Sequence, residues 1–341
     1  MSVNSVVDGI STADGIADLF ASKYQSLYTS VLYDRSEMES IHCLVDKSLS
    51  TSFYQHLLVG VSDVTNAINK LKPGKSVGCS GLCSDYFKHA PRVLAVYISF
   101  LLSALLTYGT MPQEFLTSTV IPIPKGKGLS VTDAATCNYR GIALSSIFGK
   151  IFDLIVLHRF SEQLCSSSLQ FGFKAKHSTC MCTMILKEVI AYYTAHGGSL
   201  YCTMLDATKA FDRVEYCKLF NGLLCRDIPG VYIRLLLNMY TNHVTRVSWN
   251  GICSRPFVVG NGVKQGGVIS PILFCIYIDS LLCALQNSGV GCYIGYMFLG
   301  ALAYADDIVL LAPTPSAMRT MLALCDSFAD DLHIVFNAKE I

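Results

Sequence analysis

The spacing of apolar positions divides the chain into helical and extended segments. Apolar residues return at helical spacing in five stretches, which predicts helices over residues 16–28, 62–71, 91–108, 147–160 and 178–196. The stretches 119–125 and 198–206 are rich in β-forming residues, and two prolines at alternate positions of the first exclude a helix interior. Apolar runs on either side of residues 306–307 predict a β-hairpin. Together these elements predict a mixed α+β fold.

Polar residues beside the apolar runs predict where individual helices begin. Ser62 with Asp63 forms a capping pair for the second helix, and residues 1–60 before it read as a loosely organised region with one helix. The strand that ends at Asp206 is followed at once by helix-forming residues, so a helix is predicted to begin at Ala207.

Composition excludes a disordered chain and a polycation. Of the 341 residues, 52% are hydrophobic and only 15% are charged, which is enough for a large core and suggests two or three lobes. The net charge is +1, but residues 70–176 carry +7 and the remainder −6. A basic lobe joined to an acidic one suits a protein that holds phosphates with one part and metal ions with the other, although an ordinary solvated surface explains the same pattern.

The cysteines indicate a reducing compartment. Their number, 15, is odd and they are scattered, and the first residues lack the pattern of a secretory signal. We therefore expect an intracellular protein of the nucleus or cytoplasm without a disulfide framework. His177, Cys180 and Cys182 come nearest to a metal pattern, but without a CxxC pair small buried hydrophobes are the favoured interpretation.

Hydropathy raises the alternative of a membrane protein. Mean hydropathy is +0.43, and the uncharged stretches 93–113 and 280–305 are each long enough to span a bilayer. The second stretch contains four glycines, the first contains serines, threonine and proline, and no strong Lys/Arg asymmetry brackets either. Buried helices are favoured, so no membrane partner is expected.

Three carboxylates in apolar surroundings carry the strongest chemical signal. Asp306 and Asp307 lie at the predicted hairpin, and Asp206 ends the predicted strand. Adjacent carboxylates near a core repel each other and resist desolvation, which exposure to solvent or a bound divalent cation relieves. If the two strands are neighbours, the three carboxylates converge, and hard oxygen ligands favour Mg²⁺. Two such ions roughly 4 Å apart can activate a 3′-hydroxyl and hold a leaving pyrophosphate.

A glycine-rich loop over residues 260–269 provides a second candidate feature. It leads into an apolar helix for which Ser270 is the predicted N-cap and Pro271 the first helical residue. Glycines let the backbone approach a ligand, a helix start favours an anion, and Gln265 offers both a donor and an acceptor. An ordinary helix start accounts for the same residues.

Seven segments in a fixed order resemble the reverse transcriptases of non-LTR retrotransposons (LINE-type elements). The resemblance runs from about residue 16 to the last residue. The segments are LKPGKSVGCSGL at 71–82, VIPIPKGKG at 120–128, NYRGIALSSIFGKIFDLIVLHRF at 138–160, LQFGFKAKHST at 169–179, LDATKAFDRVEY at 205–216, GVKQGGVISPILF at 262–274 and YADDIVLLA at 304–312.

The resemblance implies a role for each acidic position. Asp206 and Asp306 would be catalytic and hold two Mg²⁺ ions, with Mn²⁺ as a possible substitute, and Asp307 would assist them. The main-chain carbonyl of Ala207 would add a metal ligand. Phe211 would be the aromatic gate under the sugar, where a bulky ring clashes with a 2′-hydroxyl and so selects deoxynucleotides.

The resemblance also implies contacts to the substrate. Lys125 and Arg140 would grip the triphosphate of the incoming nucleotide. Gln265 and Gly266 would contact the nucleotide or the template, and Lys339 resembles a lysine placed near the pyrophosphate. The implied activity is RNA-directed DNA polymerisation, with an RNA template, a DNA primer and dNTPs as partners; nothing in the sequence indicates an oligomeric state.

The implied architecture is a right-hand polymerase. Residues 1–61 would form an N-terminal helical linker region, 62–197 the helical and extended fingers, and 198–341 a palm with an antiparallel sheet. Neither a thumb nor an endonuclease is recognisable, so we expect a piece of a longer element product. Ser80 replaces an aspartate common in the family's finger loop, and Gly267–Val268 replaces a common Cys-Pro.

Within this resemblance several alternatives stay open. The chain could be a catalytically dead relic that only binds nucleic acid, an intron-maturase-like polymerase, or an RNA polymerase that copies RNA. Phe211 opposes the last of these, because it leaves little room for a ribose hydroxyl.

Overall fold

The computed structural model describes residues 6–50, 58–74, 81–125 and 135–337. In these ranges the helices are α1 (Ala13–Tyr28), α2 (Arg35–Ser50), α3 (Val61–Lys70), α4 (Ser84–Lys88), α5 (Val93–Tyr108), α6 (Gln113–Leu116), α7 (Ile147–Arg159), α8 (Thr179–Ala195), α9 (Tyr216–Leu224), α10 (Gly230–Thr241), α11 (Ser270–Asn287) and α12 (Pro315–Asp331). The strands are β1 (Thr117–Pro124), β2 (Tyr139–Leu144), β3 (Tyr201–Asp206), β4 (Val244–Trp249), β5 (Ile252–Cys253), β6 (Phe257–Val258), β7 (Tyr293–Ile294), β8 (Met297–Phe298), β9 (Ala301–Tyr304) and β10 (Asp307–Ala312).

The first sheet has the order β2-β1-β4-β5, and β6 also pairs with β4. Its strand β1 runs antiparallel to β2 and parallel to β4. Helix α1 covers this sheet, because its buried face carries Phe20, which stacks on Trp249 at 5.3 Å and meets the edge of Tyr139 at 5.1 Å. The N-terminal helix is therefore part of a core.

The second sheet is antiparallel, with the order β3-β10-β9. Alternate residues of its strands enter two different cores, as the two-residue period of a strand requires. One face, with Ile308 and Leu310, packs on α11 and α12. The other face, with Leu302 and Leu311, packs on α8 through Val189. Residues of β10 at odd positions, Asp307 included, belong to the α8 face.

The largest core is helical. Its members come mainly from α3, α5, α7, α9, α10 and α11. Phe152 of α7 and Tyr232 of α10 are fully buried there and lie parallel with 6.1 Å between ring centroids. Arg159 at the end of α7 donates to the Tyr232 hydroxyl and pairs with Asp63 of α3, which fixes the three helices to one another.

Most predicted elements are confirmed, and five local predictions are wrong. Cys180, interpreted from the sequence as a small buried hydrophobe, is exposed. Helix α2 lies in the region predicted to hold one helix. Gly60, not Ser62, is the N-cap of α3, because the Asp63 carboxylate accepts the Gly60 amide. No α-helix begins at Ala207: a 3-10 turn over Ala210–Arg213 precedes α9. Ser270 lies inside α11, whose N-cap is Ile269.

Helix α11 is long and apolar enough to cross a membrane by length and composition alone. Within the protein, however, 56% of it is buried, and the core helix of a globular protein passes the same test. The apolar helix α5, predicted as a buried helix, is shorter.

Candidate active site

A tight hairpin presents the acidic pair. Strands β9 and β10 are joined by a two-residue turn of Ala305 and Asp306, with Tyr304 and Asp307 as the last pair of the ladder. Ala305 has a φ of 60° and Asp306 does not share this left-handed conformation, which is the sign pattern of a type II′ turn. The turn therefore places Asp306 at the tip and Asp307 at the start of β10.

Strand pairing brings Asp206 to the same place. In the register between β10 and β3, Asp307 lies directly opposite Asp206. Residues opposite each other in an antiparallel pair point to the same face, with Cβ atoms roughly 5 Å apart. Three carboxylates from positions a hundred residues apart thus meet at one end of the second sheet.

The carboxylates disfavour one another's charge. Burial raises the pKa of Asp306, and the charges of Asp307 and Asp206 raise it further, whereas the nearby Arg140 lowers it. Burial and the charge of Asp206 also raise the pKa of Asp307. Such mutual repulsion is the electrostatic condition that a bound divalent cation relieves.

The backbone after β3 is held by the C-terminal segment. The Asn337 amide donates to the Asp206 carbonyl at 2.8 Å, and the Thr208 amide donates to the Val335 carbonyl at 2.7 Å. Ala207 lies between these two bonds, opposite Phe336, and takes part in neither. Lys339 lies outside the described residues.

Of the two predicted phosphate contacts, Arg140 lies near the acidic hairpin. Arg140, exposed on β2, is close enough to Asp306 to lower its pKa. Lys125 follows β1, and its amide donates to the Asn138 carbonyl at 2.7 Å. Burial lowers the pKa of Lys23 on α1, and so do the charges of Lys209 and Lys125. Lys23, Lys125 and Lys209 are therefore near enough to one another for their charges to interact, and Arg140 is near Asp306.

The predicted sugar gate is packed between two aromatic rings. Phe211 stacks on Phe274 of α11 with 4.7 Å between centroids and meets the edge of Phe173 at 6.0 Å. Its carbonyl accepts the Val263 amide at 2.7 Å, which ties the segment after β3 to the glycine-rich loop. The ring is half-buried, so its position is fixed while part of it faces solvent.

Gln265 is oriented by a buried carboxylate that sequence reasoning did not single out. Its side-chain Nε2 donates to both Oδ1 and Oδ2 of Asp212, each at 2.9 Å. Its main-chain carbonyl accepts the Ala143 amide at 2.7 Å. Burial raises the pKa of Asp212 to about 7, while the Gln265 hydrogen bonds and the charges of Lys209 and Lys125 oppose this. Gly266 follows with a φ of 97°, and a Cβ there would lie 3.3 Å from the Ala143 carbonyl oxygen.

A second unpredicted contact lies behind the hairpin. The side chain of Gln170 is fully buried and bonds both the amide and the carbonyl of Ala305. The signal in the sequence is the amide within the otherwise apolar segment Leu169–Phe171, since a buried amide requires partners.

The donor set of the acidic site fits a hard divalent cation. It consists of carboxylate oxygens together with a nearby main-chain carbonyl, the ligands that Mg²⁺ and Mn²⁺ prefer. Elsewhere in the described part of the chain, Glu37, Glu215 and Cys217 lie close together. There Glu215 is engaged as the N-cap of α9, and burial raises the pKa of the Cys217 thiol to about 12.

Comparisons with known proteins identify the family to which the chain belongs. The family model described as "Reverse transcriptase (RNA-dependent DNA polymerase)" matches residues 123–340. That range contains β3, the glycine-rich loop and the acidic hairpin. Members of this family generally use divalent metal ions.

Similar curated proteins come from insect retrotransposable elements. The chain is 27% identical over 267 residues to a "Retrovirus-related Pol polyprotein from type-2 retrotransposable element R2DM" of Drosophila melanogaster, which is 78% of this chain and 24% of the relative. It is 30% identical to the "Retrovirus-related Pol polyprotein from type-1 retrotransposable element R2" of Nasonia vitripennis, over 66% of this chain and 22% of the relative. It is 27% identical to the "RNA-directed DNA polymerase from mobile element jockey" of Drosophila funebris, over 84% of this chain and 31% of the relative.

The matched regions cover less than a third of each of these three relatives. They nevertheless include most of this chain, and the family model alone matches more than half of it. The chain therefore belongs to the reverse transcriptase family, within the group that non-LTR retrotransposons encode.

Proposed function

We propose that this chain is the polymerase domain of a non-LTR retrotransposon protein, which adds deoxynucleotides to a primer 3′-end with RNA as template. The observation that carries the proposal is the register that pairs Asp206 with Asp307 beside Asp306. A polymerase needs converging carboxylates of this kind, and a chain that only binds nucleic acid does not.

In this proposal the chain has the parts of a right-hand polymerase. Residues 62–197 act as fingers and 198–341 as palm, and residues 1–61 form an N-terminal helical region. The basic charge of residues 70–176 supports a fingers region that holds phosphates, since nucleic-acid binding depends mainly on the backbone charge. The acidic end of the β3-β10-β9 sheet supports a palm that holds metal ions.

Asp206, Asp306, Asp307 and the main-chain carbonyl of Ala207 would hold two Mg²⁺ ions, or Mn²⁺ in their place. When bound, such a pair lowers the pKa of the primer hydroxyl and neutralises charge that develops on the leaving pyrophosphate. The mutual repulsion among the carboxylates supports this role, because it makes the site favourable for a cation.

The surrounding residues would bind and orient the substrates. Lys125 and Arg140 grip the triphosphate, with Lys209 and Lys23 adding positive charge nearby and Lys339 approaching the pyrophosphate. Such fixed cations replace part of the triphosphate's hydration and hold it in one position relative to the primer end.

Two further groups would set the choice of nucleotide. Phe211, held between Phe173 and Phe274, presents a fixed ring to the sugar and excludes a 2′-hydroxyl. Gln265 and Gly266 contact the nucleotide or template. Because the Nε2 group of Gln265 donates to Asp212, the Oε1 atom of Gln265 points away from Asp212.

Primer extension tests the proposal. The purified chain should extend a DNA primer annealed to RNA when Mg²⁺ and dNTPs are present, and Asp306→Asn should lower the rate by at least about 100-fold. Asp326→Asn, which changes an exposed aspartate on α12, is the matched control and should leave the rate unchanged. A folded chain that binds the primer–template but gives no extension dependent on Asp306 would contradict the proposal.

A further inference from the structure

The Ala305–Asp306 turn is held in place by a neighbouring segment that carries no carboxylate. Residues Leu169–Phe171 lie along the free edge of β9: the Ala303 amide donates to the Leu169 carbonyl, and the Phe171 amide donates to the Ala303 carbonyl, both at 2.8 Å. This single parallel bridge joins the segment to the edge of the sheet next to the hairpin.

From this edge the side chain of Gln170 reaches the turn. Its Oε1 accepts the Ala305 amide at 2.9 Å, and its Nε2 donates to the Ala305 carbonyl at 3.1 Å. The same Oε1 accepts the Gly172 amide at 2.8 Å. Gln170 is 0% exposed, so water cannot replace these bonds. One side chain thus satisfies both backbone groups of the residue that precedes Asp306.

Gly172 closes the contact at the backbone. A Cβ at this position would lie 2.4 Å from the Ala305 nitrogen and 3.0 Å from its Cα, so only glycine permits the approach. Ala305 itself has a φ of 60°, a conformation that non-glycine residues adopt at some cost. A turn of this kind persists where its surroundings hold it, and Gln170 with Gly172 provides those surroundings.

Charged side chains anchor the gripping segment to the rest of the fold. Asp279 of α11 accepts the Ser167 amide at 2.7 Å and pairs with Arg226 at 2.6 Å. Arg226 also donates to the Cys165 carbonyl at 2.6 Å, and Lys174 donates to the Ser166 carbonyl at 2.9 Å. The chain before Gln170 is therefore anchored to α11 and Arg226, and Lys174, which follows Gln170, is tied to that same part.

We propose that Gln170, seated by Gly172, is a positioning residue that holds the Ala305–Asp306 turn in the conformation in which Asp306 and Asp307 serve the reaction. Gln170 touches no reacting atom and acts through the backbone of Ala305. The part of this proposal that concerns catalysis rests on the proposed polymerase function, whereas the grip on the turn does not.

Hydrogen exchange measures the hydrogen bonding of Gln170 to Ala305 without any need for catalysis. In the metal-free wild-type chain, the Ala305 amide should exchange at least about 10-fold more slowly than an open turn amide, because its acceptor is buried. Gln170→Met keeps the length of the side chain and removes its hydrogen bonds; it should accelerate exchange at Ala305 roughly 10-fold and leave the β3–β10 ladder amides unchanged. Gln170→Asn, which keeps an amide that is too short to reach, should behave likewise.

Gln286→Met is the matched control, because Gln286 is an exposed glutamine on α11. It should change neither exchange at Ala305 nor the rate of primer extension. A wild-type Ala305 amide that exchanges as fast as an open turn would overturn the proposal even if neither Gln170 variant folds. Acceleration spread evenly over the whole sheet would also overturn it, since that outcome indicates general destabilisation.

Steady-state kinetics test the link to the reaction. Gln170→Met should lower kcat by about 10-fold or more and leave KM for dNTP within about 2-fold, because substrate contacts are intact while the carboxylates are misplaced. A rise in KM for dNTP as large as the fall in kcat would contradict the positioning role, and so would an unchanged kcat. Absence of polymerase activity in the wild type would refute the proposed function instead, while the exchange data would still decide whether the grip exists.

Discussion

The carboxyl of Asp153 lies in the interior, where it accepts backbone hydrogen bonds from Val268 and Ile269 at the start of α11. Burial raises its pKa to about 7, while these bonds and the charge of Lys264 oppose the shift. Between about pH 4 and pH 7, Asp153 is therefore protonated in the native state and ionised in the unfolded state, where its pKa has the ordinary value of 3.8. Stability contributed by this group is greatest at low pH and declines as pH rises from about 4 to 7.

Chemical denaturation at several pH values tests the contribution of Asp153 to the pH dependence of stability. From pH 5 to pH 7 the free energy of unfolding should fall by about 2 kcal/mol more in the wild type than in Asp153→Asn, because asparagine can accept the same hydrogen bonds without titrating. Asp212 contributes equally to both proteins and cancels. The same pH dependence in both proteins would show that Asp153 is not the group concerned.

Substitution of Phe211 tests the proposed selection of the nucleotide sugar. Phe211→Val should raise the incorporation of ribonucleotides relative to deoxynucleotides by at least about 10-fold, because space opens where the ring lies between Phe173 and Phe274. The ratio is measured with single-nucleotide extension of one primer. Phe100→Val, at an exposed position of α5, is the control. An unchanged ratio in Phe211→Val would remove the gate role.

At the scale of elements, local pattern predicted the strongly periodic helices and missed those whose limits depend on distant contacts. Helices α5, α7 and α8 have ends within about two residues of the predicted ones, since apolar spacing and polar flanks define them. Helix α2 is weakly apolar and acquires its place from packing against α9 and α10. The stretch after Asp206 turns before α9 because it bonds to the glycine-rich loop and the C-terminal segment.

Glu215 sets the start of α9 and can be tested directly. It is 1% exposed and accepts the amides of Cys217 at 2.7 Å and Lys218 at 3.1 Å. Glu215→Ala should lower the free energy of unfolding by about 1–3 kcal/mol, because it leaves buried donors unpaired. Thermal or urea unfolding measures the loss, with Glu39→Ala at an exposed position of α2 as control. A loss no larger than that of the control would contradict the capping role.

For the whole molecule, the sequence predicted that Asp206, Asp306 and Asp307 would meet only on condition that their strands are neighbours. The hairpin followed from two apolar runs around an acidic turn, and the end of β3 followed from a β-prone run. The pairing of β3 with β10 depends on the packing of α8, α11 and α12 around the sheet, which no local pattern contains. For the same reason the contacts of Gln170 and Asp212 are visible only in the folded chain.

Metal-directed cleavage of the chain tests the convergence of the carboxylates most directly. Fe²⁺ bound in place of Mg²⁺ and treated with ascorbate and peroxide generates hydroxyl radicals that cut the backbone close to the ion. We expect cuts near residue 206 and near residue 306 in the same protein, suppressed together by excess Mg²⁺ and absent in Asp206→Asn. Cuts at one of these positions alone, or a pair that Asp206→Asn does not abolish, would show that the two aspartates do not share a metal site.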